Sequence, residues 1–322
     1  MRSTTSLIAL LTVLNSLGFT ALAQDRTSGE AQAGRTWAVV VGISKYQRVP
    51  GGQQLQFADR DAAAFADALK KAGTASDTIR ALIGVEATTA AIKAAIGNWI
   101  ARSASENDTV ILFFSGHGIF EREFGESYIL GYDSDPANPY TGALSVSEIS
   151  QALKNRVRAR RVLILVDAVR RDFFEPETGG TTDAASFSKS FNELATSRAG
   201  ASVVIASGPG EFSREGQRWG GHGVFTKHLI DALASDRNAD GSITADELVD
   251  YVKARVAEDT SNKQHPWRSE TPLADIIVAR NERSSATPAI AARGEQPVSP
   301  ADAARITPTQ PATPPTDPTT AS

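Results

Sequence analysis

Arg161-Val-Leu-Ile-Leu-Val-Asp-Ala-Val-Arg-Arg-Asp172 is the stretch that decides the fold. Val162 to Val166 is an unbroken aliphatic run, the pattern of a strand buried on both faces of a parallel sheet. The run turns polar at Asp167. In an open α/β sheet, ligands and catalytic groups gather where the chain leaves the carboxyl end of a strand, so residues 167–172 mark the edge of a site. Thr109-Val-Ile-Leu-Phe-Phe114 has the same grammar, with Ser115-Gly-His-Gly118 at its carboxyl end. The two strand ends, one bearing His117 and the other Val169, frame one candidate site.

Working outward, Trp37-Ala-Val-Val-Val-Gly-Ile-Ser44 is the first buried strand. Phe57, Ala62, Phe65, Ala66 and Leu69 recur at helical spacing, and Lys70-Lys71 followed by Gly73 closes that helix. A short strand is expected over Thr78–Ile83 and an amphipathic helix over Thr88–Ile100, with Ile92, Ile96, Trp99 and Ile100 on one stripe. Ser145–Lys154 reads as a helix opened by a capping box, Ser145 with Glu148 three residues on. Asp172 to Arg198 is rich in Gly, Thr, Ser, Asp and Glu and reads as a long loop or processing linker. Ala201–Ser207 is a fifth strand, Phe225–Ala234 a helix, and Leu273–Val278 a last strand. Strands alternating with helices argue an α/β fold, a mostly parallel six-stranded sheet with helices on both faces.

The folded part spans 35–281. Before it, residues 1–23 read as a signal peptide: Arg2, then an apolar run from Leu7 to Leu14, then Ala21-Leu-Ala23 before Gln24. The apolar run is short for a membrane span, so a secreted or periplasmic protein with no membrane span after signal removal is expected. Residues 24–34 form a small, polar, flexible leader. Residues 282–322 hold eight of the fifteen prolines among Ala, Thr and Ser, and cannot bury enough apolar surface to fold.

A formal charge of −4 leaves no basic footprint, so no nucleic-acid partner is expected. The chain has no cysteine, so it lacks disulfides, a thiol nucleophile and thiolate metal ligands. Four histidines, at 117, 222, 228 and 265, show no zinc spacing. Neither zinc nor a nucleotide is expected.

Phe-Phe-Ser-Gly-His-Gly118, then a strand and Asp-Ala-Val-Arg170, resembles the caspase-like cysteine peptidases of the C14 type, in particular bacterial metacaspase-like proteins. The likeness continues in Val41-Gly-Ile-Ser44, Tyr128-Ile-Leu-Gly-Tyr-Asp133 and Gly221-His-Gly-Val-Phe225, and so covers the folded part. It implies the caspase-haemoglobinase fold. It implies His117 as the catalytic base, Gly118 as an oxyanion donor, and a nucleophilic cysteine where Val169 stands. It also implies an acidic pocket for Arg or Lys side chains at Asp61, in Asp59-Arg-Asp-Ala62, and Asp167. A plain alternative has Asp61 capping its helix and Asp167 pairing with Arg170 or Arg171.

Valine has neither a lone pair nor an ionisable proton, and loss of a nucleophile typically costs about 10⁶ in rate. The expectation is a pseudopeptidase that binds a peptide or protein partner through Arg or Lys side chains. The alternatives are a hydrolase in which His117 serves a non-Cys nucleophile, Ser115 or Ser207, and a calcium-binding scaffold. The last rests on Asp236 to Glu247, which fits a twelve-position EF-hand-like loop. Asp236, Asn238, Asp240, the Ser242 carbonyl and Glu247 would be the Ca²⁺ ligands, with Gly241 at the sharp turn. An Asp-Gly turn before a capped helix would give much of the same pattern.

Overall fold

The computed structural model describes residues 34–171, 180–235, 241–272 and 276–280. The signal peptide, nearly all of the leader and the Pro-rich tail lie outside the described residues. The chain opens with β1 (Thr36–Gly42), α1 (Ala58–Lys71) and β2 (Ile79–Ile83). Next comes α2 (Thr89–Ala94), which continues through a π-helical turn at Ala95–Ile100 into α3 (Ala101–Ser103). Then follow β3 (Thr109–Ser115), the hairpin β4 (Gly118–Glu121) and β5 (Glu126–Ile129), α4 (Pro139–Gly142), β6 (Leu144–Ser145), α5 (Val146–Asn155) and β7 (Arg161–Asp167). The last part carries α6 (Gly180–Thr196), β8 (Ala201–Ile205), β9 (Glu215–Gly216), β10 (His222–Gly223) and α7 (Val224–Leu233). It ends with β11 (Ser242–Thr244), α8 (Ala245–Asp259), β12 (Trp267–Arg268) and β13 (Ile277–Arg280).

The central sheet has six strands in the order β12-β8-β7-β3-β1-β2. All pairs are parallel except β12 with β8. Because side chains alternate along a strand, each buried strand feeds two cores. Val39, Val41, Leu112, Phe114, Ile164 and Val166 face Ile92, Ile96, Ile149, Leu153, Phe187 and Phe191 of α2, α5 and α6 and the π-helical turn. Val40, Phe113, Leu163 and Leu165 point the other way, onto Phe65, Leu69, Phe225, Leu229, Leu248 and Val252 of α1, α7 and α8. This double burial is why the strands read as continuous apolar runs. The Ser145–Glu148 capping box opens α5 as its sequence predicts.

Two expectations are corrected. The linker proposed over 172–198 is, from Gly180 to Thr196, the 17-residue helix α6; residues 172–179 lie outside the described residues. Ala184, Phe187, Phe191, Leu194 and Ala195 recur every three or four positions and are buried, while the Ser and Thr residues between them disguise the stripe. The strand proposed at 273–278 does not join the central sheet: β13 begins at Ile277 and pairs antiparallel with β11, and residues 273–275 lie outside the described residues. The sixth place is taken by Trp267–Arg268, too short for a periodic signal. Among the described residues no helix is long and apolar enough to cross a membrane.

Removing the Phe191 ring from α6 should leave a cavity against the sheet. Phe191→Ala is expected to lower the unfolding free energy by about 3–5 kcal/mol, measured by urea titration. An unchanged midpoint would contradict the packing of α6.

Candidate functional site

The register places the site. Gly42 pairs with Ser115, and Ser115 with Asp167, so β1, β3 and β7 end level with one another. Two backbone bonds then extend the β3–β7 pairing past the strand ends: Gly116 N donates to Asp167 O at 3.1 Å, and Gly118 N to Ala168 O at 2.8 Å. His117 and Val169 therefore leave the sheet side by side.

Neither reaches solvent. His117 and Val169 are both fully buried, and Val169 belongs to the same apolar core as Ala168, Phe187 and Ala184. The Val169 carbonyl accepts a bond from Ser213 N at 2.8 Å. Tyr46, on the loop after β1, covers the imidazole with ring centroids 5.1 Å apart, and its hydroxyl accepts the His117 N–H at 2.7 Å. The His117 Nε2 lies 2.7 Å from the Gln53 carbonyl. A carbonyl only accepts, so Nε2 carries the proton in this arrangement. Burial, opposed by the Gln53 bond and reinforced by the positive Arg170, pushes the His117 pKa down to about 3. The imidazole is thus a neutral donor to the backbone.

The expectation that Gly118 supplies an oxyanion donor is corrected. Its N–H is engaged with Ala168. The glycine is explained by packing, since a Cβ there would come within 2.5 Å of the Phe187 ring. The candidate serine nucleophiles are committed elsewhere: Ser115 Oγ donates to Asp61 Oδ2 at 3.1 Å, and Ser207 Oγ to the Glu211 carbonyl at 3.3 Å.

Asp61 and Asp167 do converge, from α1 and from the end of β7. Both are fully buried, and a Cβ built on Gly223 would lie 2.7 Å from Asp167 Oδ2 and 3.1 Å from Asp61 Oδ2. The Gly223 N–H donates to Asp61 at 3.2 Å, and His222 Nδ1 meets Asp61 Oδ1 at 2.8 Å. The β9–β10 ribbon therefore roofs the carboxylates. The open acidic pocket is corrected: Arg170 lies inside it, 3% exposed, with Nη2 3.0 Å from Asp167 Oδ1. Arg171 instead lies over the Phe212 ring, 4.6 Å from its centroid. Burial raises the Asp167 pKa to about 6 against the pull of Arg170, with Asp61 adding to the rise.

Sequence reasoning missed Tyr46, the Gln53 carbonyl and His222 as members of this site. A carbonyl partner leaves no residue-type signature. His222 carried one, since it stands beside the Gly223 that approaches both carboxylates. Of the calcium-loop residues, Asp236, Asn238 and Asp240 lie outside the described residues. Ser242 opens β11, and Glu247 Oε2 accepts from the Thr244 N–H and hydroxyl as the capping box of α8. That contact is the capped-helix alternative to a calcium ligand.

Because His117 has a folded pKa below its unfolded value of about 6.5, its stabilising contribution is present above pH 6.5 and lost as pH falls toward 3. Asp167 has the opposite sign, with a contribution full below about 3.8 and lost as pH rises through 6. The difference in unfolding free energy between the natural protein and His117→Gln isolates the imidazole. It should shift by about 2 kcal/mol in favour of the variant from pH 7.5 to pH 5; a constant difference would contradict a buried, neutral His117.

The caspase domain family, Peptidase C14, matches residues 35–277. No curated protein matches the chain. Among solved structures, protein GSU0716 from Geobacter sulfurreducens is 18% identical, covering 74% of this chain and 94% of its own, with a TM-score of 0.49. The family match spans the sheet and both strand ends that frame His117 and Val169, and on it the chain belongs to the caspase-domain family of C14 peptidases.

Proposed function

We propose that the chain is a secreted or periplasmic pseudopeptidase, a caspase-type domain that binds basic peptide or protein segments without cleaving them. The observation that carries this is Val169: the position after Asp167-Ala168 is an aliphatic side chain sealed in the core, in a chain with no cysteine. Covalent catalysis needs a nucleophile within reach of a base, and no neighbouring base can activate valine. The imidazole adds to this reading, because its Nε2–H is turned to the Gln53 carbonyl.

Binding chemistry survives where the covalent chemistry does not. Asp61 and Asp167 still face one another at the strand ends, and carboxylates grouped in a buried site suit a guanidinium or ammonium group. Export is supported by the first 23 residues. N-terminal sequencing of the exported protein should begin at Gln24, and an intact Met1 would contradict a cleaved signal.

The enzymatic half is tested with fluorogenic peptides ending in Arg or Lys. The natural protein and His117→Ala should both remain at the buffer background. Turnover by the natural protein that His117→Ala abolishes would overturn the pseudopeptidase reading and point to another nucleophile.

A further inference from the structure

Three carboxylates meet around one guanidinium. Asp61 comes from α1, Asp167 from the end of β7 and Glu215 from β9, and all three hold the charge of Arg170 up against the burial that would pull it down. Glu215 Oε1 accepts the Gln56 N–H at 2.9 Å, while Oε2 is buried without a hydrogen-bond partner. Formally the group carries three negative charges against one fixed positive charge, with His222 beside Asp61 and with Tyr46 and His117 near Arg170 as further ionisable neighbours.

Arg170 is enclosed yet poorly held. A guanidinium offers five donors in a planar fork. Among the described residues only Nη2 has partners, Asp167 Oδ1 at 3.0 Å and the Asp167 carbonyl at 3.4 Å. Nε and Nη1 are buried with no hydrogen-bond partner, and neither Asp167 carboxylate oxygen receives a well-directed hydrogen bond. A bidentate fork on a carboxylate would satisfy more of both groups.

We propose that Arg170 is an internal ligand: the resting chain holds its own guanidinium in the acidic pocket, and an arginine-bearing segment binds by displacing it. The proposal rests on the reading of this pocket as a seat for basic side chains and adds the regulation of that seat. The source of the gating is the residue that follows Val169. Only molecules with Arg170 turned out are competent to bind, so the apparent affinity falls by the fraction that is competent. A second cation would also relieve the excess of buried negative charge that Arg170 alone leaves.

The test compares the natural protein with Arg170→Ala, using a peptide ending in arginine amide in titration calorimetry and methylguanidinium in thermal melts. Arg170→Ala should bind the peptide at least about tenfold more tightly than the natural protein, and millimolar methylguanidinium should raise its melting midpoint while leaving the natural protein unmoved. If Arg170→Ala does not fold, Arg170→Gln, which keeps the stem and a polar head but drops the charge, takes its place. Equal peptide affinity in the natural protein and the variant would overturn the internal ligand while leaving the pocket reading in place. No peptide binding and no methylguanidinium effect in a folded variant would overturn both.

Discussion

A carboxylate sealed away from water must be paired or must give up its charge, and two of them, Asp61 and Asp167, stand fully buried at the carboxyl ends of the central strands. The rest of the site is arranged around that demand. Asp61 is answered by Ser115, His222 and the Gly223 amide. Asp167 is answered by Arg170 and the Ser213 side chain, which do not offset its burial, so its pKa stays raised. The β9–β10 ribbon lies where it does because Gly223 is the residue small enough to bring a backbone N–H onto both Asp61 oxygens.

The same closure accounts for His117. Burial and the nearby Arg170 guanidinium favour a neutral ring against the opposing pull of the Gln53 carbonyl. The groups at these strand ends are thus turned to internal partners. Val169 is packed into the core, Gly118 turns its amide to Ala168, and Arg170 lies against Asp167. Buried ion pairs contribute little net stability when well-packed apolar groups could replace them.

Much of the fold was legible because its signals are physical necessities. A parallel strand covered on both faces must be apolar throughout, which is how β1, β3 and β7 announce themselves. His117 and Val169 lie adjacent because both follow such strands by two residues, in register. The failures have equally local causes. The α6 stripe of Phe187, Phe191 and Leu194 is interleaved with Ser and Thr, whose composition speaks for a loop. Two residues of β12 are too few for any period. The sequence does not distinguish Arg170 from Arg171 as the Asp167 partner, and only side-chain direction separates them: one points toward Asp167 and the other onto Phe212.

The central claim is that the Asp167–Arg170 pair, buried and unshared with solvent, closes the site. A double-mutant cycle in unfolding free energy at pH 7.5, with Asp167→Asn, Arg170→Met and the two combined, tests it most directly. The account predicts that each single change costs about 3–5 kcal/mol, since each strands a buried charge, and that the double variant recovers more than about 1 kcal/mol of the summed loss. Strictly additive costs would mean that the two groups do not depend on each other, and the closed site described here would be wrong.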